Sequence, residues 1–121
     1  MDIEGFEYEA FLSMSANSID RFRIIVCEFH NLHNLWNKPF FNLVNPVFEK
    51  ILNNHTCVHI HPNNCNSPLT INGIEIPPVM EFTFLRNDRL NGTSFSNEFP
   101  HPLDSDCSNK KSLNLPSCWF S

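Results

Sequence analysis

The run Ile24-Ile25-Val26-Cys27 constrains the fold of this chain more than any other feature. It is continuously apolar and mostly β-branched. Such a run reads as a strand covered on both faces, the pattern of a parallel sheet. Parallel strands need crossover connections, usually helical. The flanking segments can supply them. Phe6 to Met14 is amphipathic, with Phe6, Ala10 and Phe11 able to share one face. On the other side, Phe41, Val44, Phe48, Ile51 and Leu52 form a second helical stripe. That helix is expected to start at Lys38 or at Asn45, because Pro39 and Pro46 each fit best in a first turn.

Further along, Cys57 to Ile60 reads as a short strand that His61-Pro62-Asn63-Asn64 breaks. Leu69 to Ile76 reads as an extended piece reversing at Asn72-Gly73, a common hairpin turn pair. Val79 to Arg86 alternates Met80, Phe82 and Phe84 against Glu81, Thr83 and Leu85, as a strand does. The order is strand end, helix, strand, helix, strand, loop, strand, tail. The opening Asp2-Ile3-Glu4-Gly5 reads as the end of a strand turning into a helix, with Gly5 at the tight turn. The expectation is therefore the second half of an α/β domain over residues 1–104, then a polar tail over 105–121 whose last residues are mobile.

A length of 121 residues suits one modest domain. The net charge of -5, with Lys and Arg scattered, argues against a nucleic-acid partner. No segment is long and apolar enough to cross a membrane as a helix. The opening residues have no signal-peptide character; the compartment stays open, with the cytoplasm favoured. The five cysteines are an odd number; Cys27 reads as a small buried hydrophobe, and Cys107 and Cys118 could pair within the tail. Asn54-His55-Thr56 and Asn91-Gly92-Thr93 match the glycosylation sequon, as an Asn-rich chain easily does.

In sheets of this type, ligands sit beyond the carboxyl ends of the strands. Those ends carry Asp2 and Glu4, Glu28 and His30, and His59 and His61. Asp2 could orient a nucleophile or hold a divalent ion; it could equally cap the following helix. Glu28 and His30 alternate, so they can point the same way into an acceptor pocket or simply end a solvated strand. His59 and His61, with Asn63 and Asn64, could contact a polar, sugar-like acceptor; the Asn pair could instead stabilise a turn. Two imidazoles also suit zinc, but no third ligand is evident, although Cys57, Cys65, Asp2 and Glu28 are available. No metal is assigned.

At these residues the chain resembles the FkbM-type methyltransferase domain. The matching pieces are Asp2-Ile3-Glu4-Gly5-Phe6-Glu7, Ile25-Val26-Cys27-Glu28-Phe29-His30, Val58-His59-Ile60-His61-Pro62-Asn63-Asn64-Cys65 and Ile76-Pro77-Pro78-Val79-Met80-Glu81-Phe82-Thr83-Phe84. Phe99-Pro100-His101-Pro102-Leu103-Asp104 also fits. Pro62 departs from the family, where Gly more often precedes the Asn pair. The resemblance implies a Rossmann-like class I methyltransferase sheet with three layers. This chain would supply the end of the fourth strand and then the fifth, sixth and seventh. The seventh would lie antiparallel between the fifth and sixth.

The resemblance further implies S-adenosylmethionine as methyl donor and a small-molecule acceptor. Asp2, Glu28 and His30 are the catalytic candidates it suggests; Glu4, His59, His61, Asn63 and Asn64 would bind substrate. The family's first strands and glycine-rich loop, which hold the cofactor, have no counterpart here. Gly5, Gly73 and Gly92 are isolated. The expectation is a methyltransferase that is incomplete and inactive as this chain alone. The alternative is a non-catalytic remnant or a small partner-binding protein. In either case an open sheet edge would invite self-association.

Overall fold

The computed structural model describes residues 1–92, 94–96 and 99–120. Thr93 of the second sequon and the last tail residue, Ser121, lie outside the described residues. The main sheet holds β1 (Ile24–Phe29), β2 (His55–Pro62) and β5 (Met80–Arg86), in the order β1-β5-β2. β5 is antiparallel to both neighbours, so β1 and β2 run parallel to each other. A separate hairpin pairs β3 (Leu69–Ile71) with β4 (Ile74–Ile76). Its turn, Asn72-Gly73, has positive φ at both residues, as a tight two-residue hairpin requires.

One face of the main sheet is covered and the other is not. Ile25, Cys27, Phe29, Ile60, Met80, Phe82 and Phe84 are buried. Between them on β1, Ile24 and Val26 are 57% and 43% exposed. The apolar run is therefore not covered on both faces as expected. Apolar side chains on both sides of a strand do not by themselves bring a second layer. Among the described residues the helices form a single covering layer, where the resemblance implies one on each face.

The covering layer is α1 (Glu7–Ser13) and α3 (Lys38–Leu52). Tyr8 and Phe11 of α1 pack against Phe29 with tilted rings, at 5.4 and 6.0 Å between ring centroids. Phe48 of α3 reaches Phe29 at 4.8 Å and Phe82 at 5.4 Å. Phe29 is thus the ring on which both helices meet the sheet. Of the α1 face expected to point inward, Phe11 is buried and Ala10 half-buried, but Phe6 is not. The helix buries Glu7, Tyr8 and Phe11. Between α1 and β1, Ala16–Ile19 forms the short helix α2, capped by the Ser15 side chain.

α3 runs unbroken from Lys38, with Asn37 accepting the Phe40 N–H as its cap and Pro46 inside it. Neither a start at Asn45 nor a first-turn place for Pro46 holds. An interior proline costs roughly 3 kcal/mol. Burial of Val44, Val47 and Ile51 outweighs that cost. Lys50 crosses to α1 and donates to the carbonyls of Phe11 and Leu12 at 3.0 and 3.1 Å, and to that of Met14. These are orphan acceptors at a helix carboxyl end, which favours a cation.

β2 extends through His61 and Pro62, which were expected to break it; Pro62 pairs opposite Met80 at the end of the ladder. The described tail is mostly exposed but touches the body at points, with Leu115 buried and Trp119 donating to the Glu75 carbonyl at 3.2 Å.

Because Phe29 joins both helices to the sheet, Phe29→Ala should cost about 3–5 kcal/mol. Urea unfolding followed by circular dichroism measures it, and a loss under ~1 kcal/mol would contradict this packing.

Candidate functional site

The site starts with a buried carboxylate. Glu7 opens α1 and is fully buried. Its Oε1 accepts the backbone N–H groups of Ile3 and Gly5, each at 3.1 Å. It also lies 3.0 Å from His30 Nδ1. The turn before α1 is shaped for this. Glu4 and Gly5 both have positive φ, and a Cβ at Gly5 would come within 3.1 Å of Asn31.

Burial pushes the Glu7 carboxyl up, but the N–H groups around it and the nearby His30 prevail and hold it below its ordinary value. Glu7 is therefore ionised at neutral pH and can only accept. It follows that His30 carries its proton on Nδ1. The Tyr8 hydroxyl donates to the His30 carbonyl at 2.5 Å, fixing the backbone at the same point.

His30 Nε2 then faces three more carboxylates. Glu4 Oε2 is 3.6 Å away, Glu28 Oε2 3.7 Å and Asp2 Oδ1 3.9 Å. The second oxygen of Glu28 accepts from Asn63 Nδ2 at 3.1 Å. So Asp2, Glu4, Glu28 and His30 meet at the carboxyl end of β1, with Asn63 at their margin. Two chemistries suit this arrangement. With Nε2 protonated, the ring is an imidazolium among acids. With Nε2 bare, its lone pair and the carboxylate oxygens converge as ligands. One ligand atom each from Asp2, Glu28 and His30 lie within 4.8 Å of one another. The Glu7–His30 hydrogen bond would then orient the imidazole from behind, as outer carboxylates do in metal sites.

His59 and His61 form a different cluster. Asp104 lies 2.8 Å from His59 Nε2 and 3.2 Å from His61 Nδ1, the latter not aligned as a hydrogen bond. Burial raises the Asp104 carboxyl, but the His101 N–H and the two imidazoles more than offset it and lower it overall. The two clusters join through a cross-strand row, because Glu81 is opposite Glu28 on one side and His61 on the other. Glu81 is exposed on the open face.

Asn64 does not join either cluster. It is buried, and its amide is spent on the tail: it donates to the carbonyls of Ser108 and Lys110 and accepts from Ser108. Its side-chain amide, expected to contact substrate, is engaged by the tail instead.

Three residues of this site escape a reading of spacing alone. Glu7 looks like one more exposed helix acid, although its i,i+4 partner Phe11 hints at an inward face. Tyr8 gives no sign of its hydroxyl partner. Asp104 meets His59 across 45 positions of sequence, a distance no spacing rule covers.

Glu7 gives a pH prediction. Its folded value is depressed, so its contribution to stability is complete above the ordinary 4.5 and is lost as pH falls through the folded value. Wild-type Tm should therefore drop more steeply than that of Glu7→Gln from about pH 5 to about pH 3. At neutral pH the variant should be less stable by about 1–3 kcal/mol. Parallel acid profiles would contradict an ionised, buried Glu7. The ligand geometry gives a second prediction. Mn²⁺ should broaden the NMR resonances of His30 and Gly5 first, and Glu28→Gln should abolish that preference; broadening centred elsewhere would count against the site. Comparison with protein-family models, curated proteins and solved structures finds no match to this chain, so its function is read from this arrangement.

Proposed function

We propose that this chain is the acceptor-side half of an FkbM-like, S-adenosylmethionine-dependent methyltransferase domain, and that it does not transfer methyl groups by itself. The observation that carries the reading is the strand order. β5 lies antiparallel between two parallel strands, and a histidine–carboxylate cluster stands at the carboxyl end of β1. The resemblance implies the same order for the last three strands of that sheet. The free edge of β1 adds support. The Met1 amino group donates to the Val26 carbonyl at 2.6 Å, and the Glu28 N–H donates to the Met1 carbonyl at 2.9 Å. Two such bonds flanking Cys27 form a parallel ladder, so this edge accepts a parallel strand.

The residues present do not fit the cofactor. Isolated Gly5, Gly73 and Gly92 make no phosphate- or nucleoside-binding loop. S-adenosylmethionine would supply the methyl group in the complete domain, and residues outside this chain would hold it. This chain would supply the acceptor site. A polar acceptor carrying a hydroxyl or amine, such as a sugar, would hydrogen-bond to Glu28, Asp2 or Glu4. His30 Nε2 would take its proton, with the Glu7 carboxylate stabilising the imidazolium. His59 and His61, tied to Asp104, would border the acceptor along the open face of the sheet.

A second reading, a non-catalytic partner-binding protein, is favoured by the uncovered Ile24 and Val26. One experiment separates the two. The chain is mixed with the amino-terminal half of an FkbM-family enzyme whose own split halves reassemble, and S-adenosylhomocysteine binding is followed by calorimetry. The chain alone should bind none, and the mixture should bind with about one site per complex. Failure to associate, or association without binding, would overturn the methyltransferase reading. Binding by the chain alone would overturn the division of labour.

A further inference from the structure

Beyond both readings of function, the loop after β2 and the tail meet at a pair of cysteines. Cys65 and Cys107 are separated by 42 positions, yet their sulfurs are in contact at 2.7 Å. Both are exposed. The surrounding backbone is held mostly by groups other than the two sulfurs. Asn63 Oδ1 accepts the Cys65 N–H at 2.8 Å and the Cys107 thiol at 2.9 Å. The buried Asn64 amide holds Ser108 and Lys110, and Lys110 Nζ donates to the Cys65 carbonyl at 2.5 Å. Both sides of the contact are thus fixed by polar bonds, so linking the sulfurs needs little backbone movement.

The other cysteines do not compete at this point. Cys27 is buried in the core, and Cys57 sits on β2 with its thiol donating to the His59 carbonyl at 3.5 Å. Burial raises both thiols, and contact with Cys107 raises that of Cys65 too, so position rather than acidity singles out the Cys65–Cys107 pair. Cys118 lies elsewhere, lining the cavity beside Phe48 and Trp119.

We infer that Cys65 and Cys107 form an intrachain disulfide that pins residues 105–111 to the loop after β2. A small-molecule disulfide such as oxidised glutathione is a sufficient oxidant. One protein thiolate attacks it, releasing one glutathione as thiol and leaving a mixed disulfide. The second protein thiolate attacks the protein sulfur of that bond and releases the other glutathione. Two protein thiols lose their hydrogens, two glutathione thiols gain them, and one protein S–S bond forms. The product closes a long loop. It also removes the thiol hydrogen that Cys107 donates to Asn63, the residue that bonds Glu28 in the histidine–carboxylate cluster.

The test is peptide mapping of the folded full chain after equilibration with oxidised glutathione and alkylation of the remaining thiols. Trypsin releases Cys107 within residues 90–110, Cys57 and Cys65 within 51–86, and Cys118 within 112–121. The expected result is a cross-link between 90–110 and 51–86, placed at Cys65 by fragmentation. Reduction should lower the Tm by about 10 °C. In Cys65→Ser the cross-link and the Tm shift should both vanish. A Cys107–Cys118 link, a link at Cys57, mixed glutathione adducts alone, or five alkylated cysteines would each overturn the inference.

Discussion

The hydrogen bonds accepted by the Glu7 carboxylate organise the functional end of this molecule. A charge buried without partners would cost far more than a domain of this size can spare. Three donors, the Ile3 and Gly5 N–H groups and the His30 ring, converge on Oε1 of Glu7 and offset that cost, although its Oε2 is buried without a hydrogen-bond partner among the described residues. Those bonds do three things together. They fix the turn that brings Asp2 and Glu4 over the end of β1. They set which face of α1 points inward, so that Tyr8 and Phe11 reach Phe29. They also assign the His30 proton, leaving Nε2 toward the outer acids. Replacing Glu7 with a hydrophobic residue could fill its space but would release all three constraints.

The sheet carries that local order further. Alternation along β1 sends Phe29 into the core and Glu28 to the open face. Pairing with β5 and β2 then aligns Glu28, Glu81 and His61 in one row. Acid and imidazole groups from separate parts of the sequence thereby share one surface. The tail completes it, since Asp104 satisfies His59 while Asn64 holds the segment that follows. Side-chain bonds to the rest of the molecule are found at residue 104 and beyond it.

Much of the framework was legible in the sequence, and the reasons are local. The alternation of Met80, Phe82 and Phe84 fixes which side of β5 is buried. Asn72-Gly73 reverses the chain because both residues tolerate positive φ. Gly5 marks a turn where a side chain would crowd Asn31. What escaped depends on distant partners. Pro46 lies inside a helix because tertiary burial outweighs a local penalty. The inward face of α1 includes Phe11 as its periodicity suggests but is rotated away from Phe6, because its most buried position is an acid, which hydrophobic periodicity counts as polar. The run Ile24 to Cys27 suggested two covered faces, but coverage is decided by where the helices pack. Asp2, Glu4, Glu28 and His30 were each singled out at strand ends and do meet. Glu7, which holds them together, was passed over.

The most direct measurement is nitrogen-detected NMR of the His30 ring in the intact chain near neutral pH. A buried, ionised Glu7 requires a protonated Nδ1, slowly exchanging with water and close in space to the Ile3 and Gly5 amide protons. An Nδ1 without a proton, with hydrogen only on Nε2, would contradict the buried Glu7–His30 hydrogen bond and with it the organisation of the whole site.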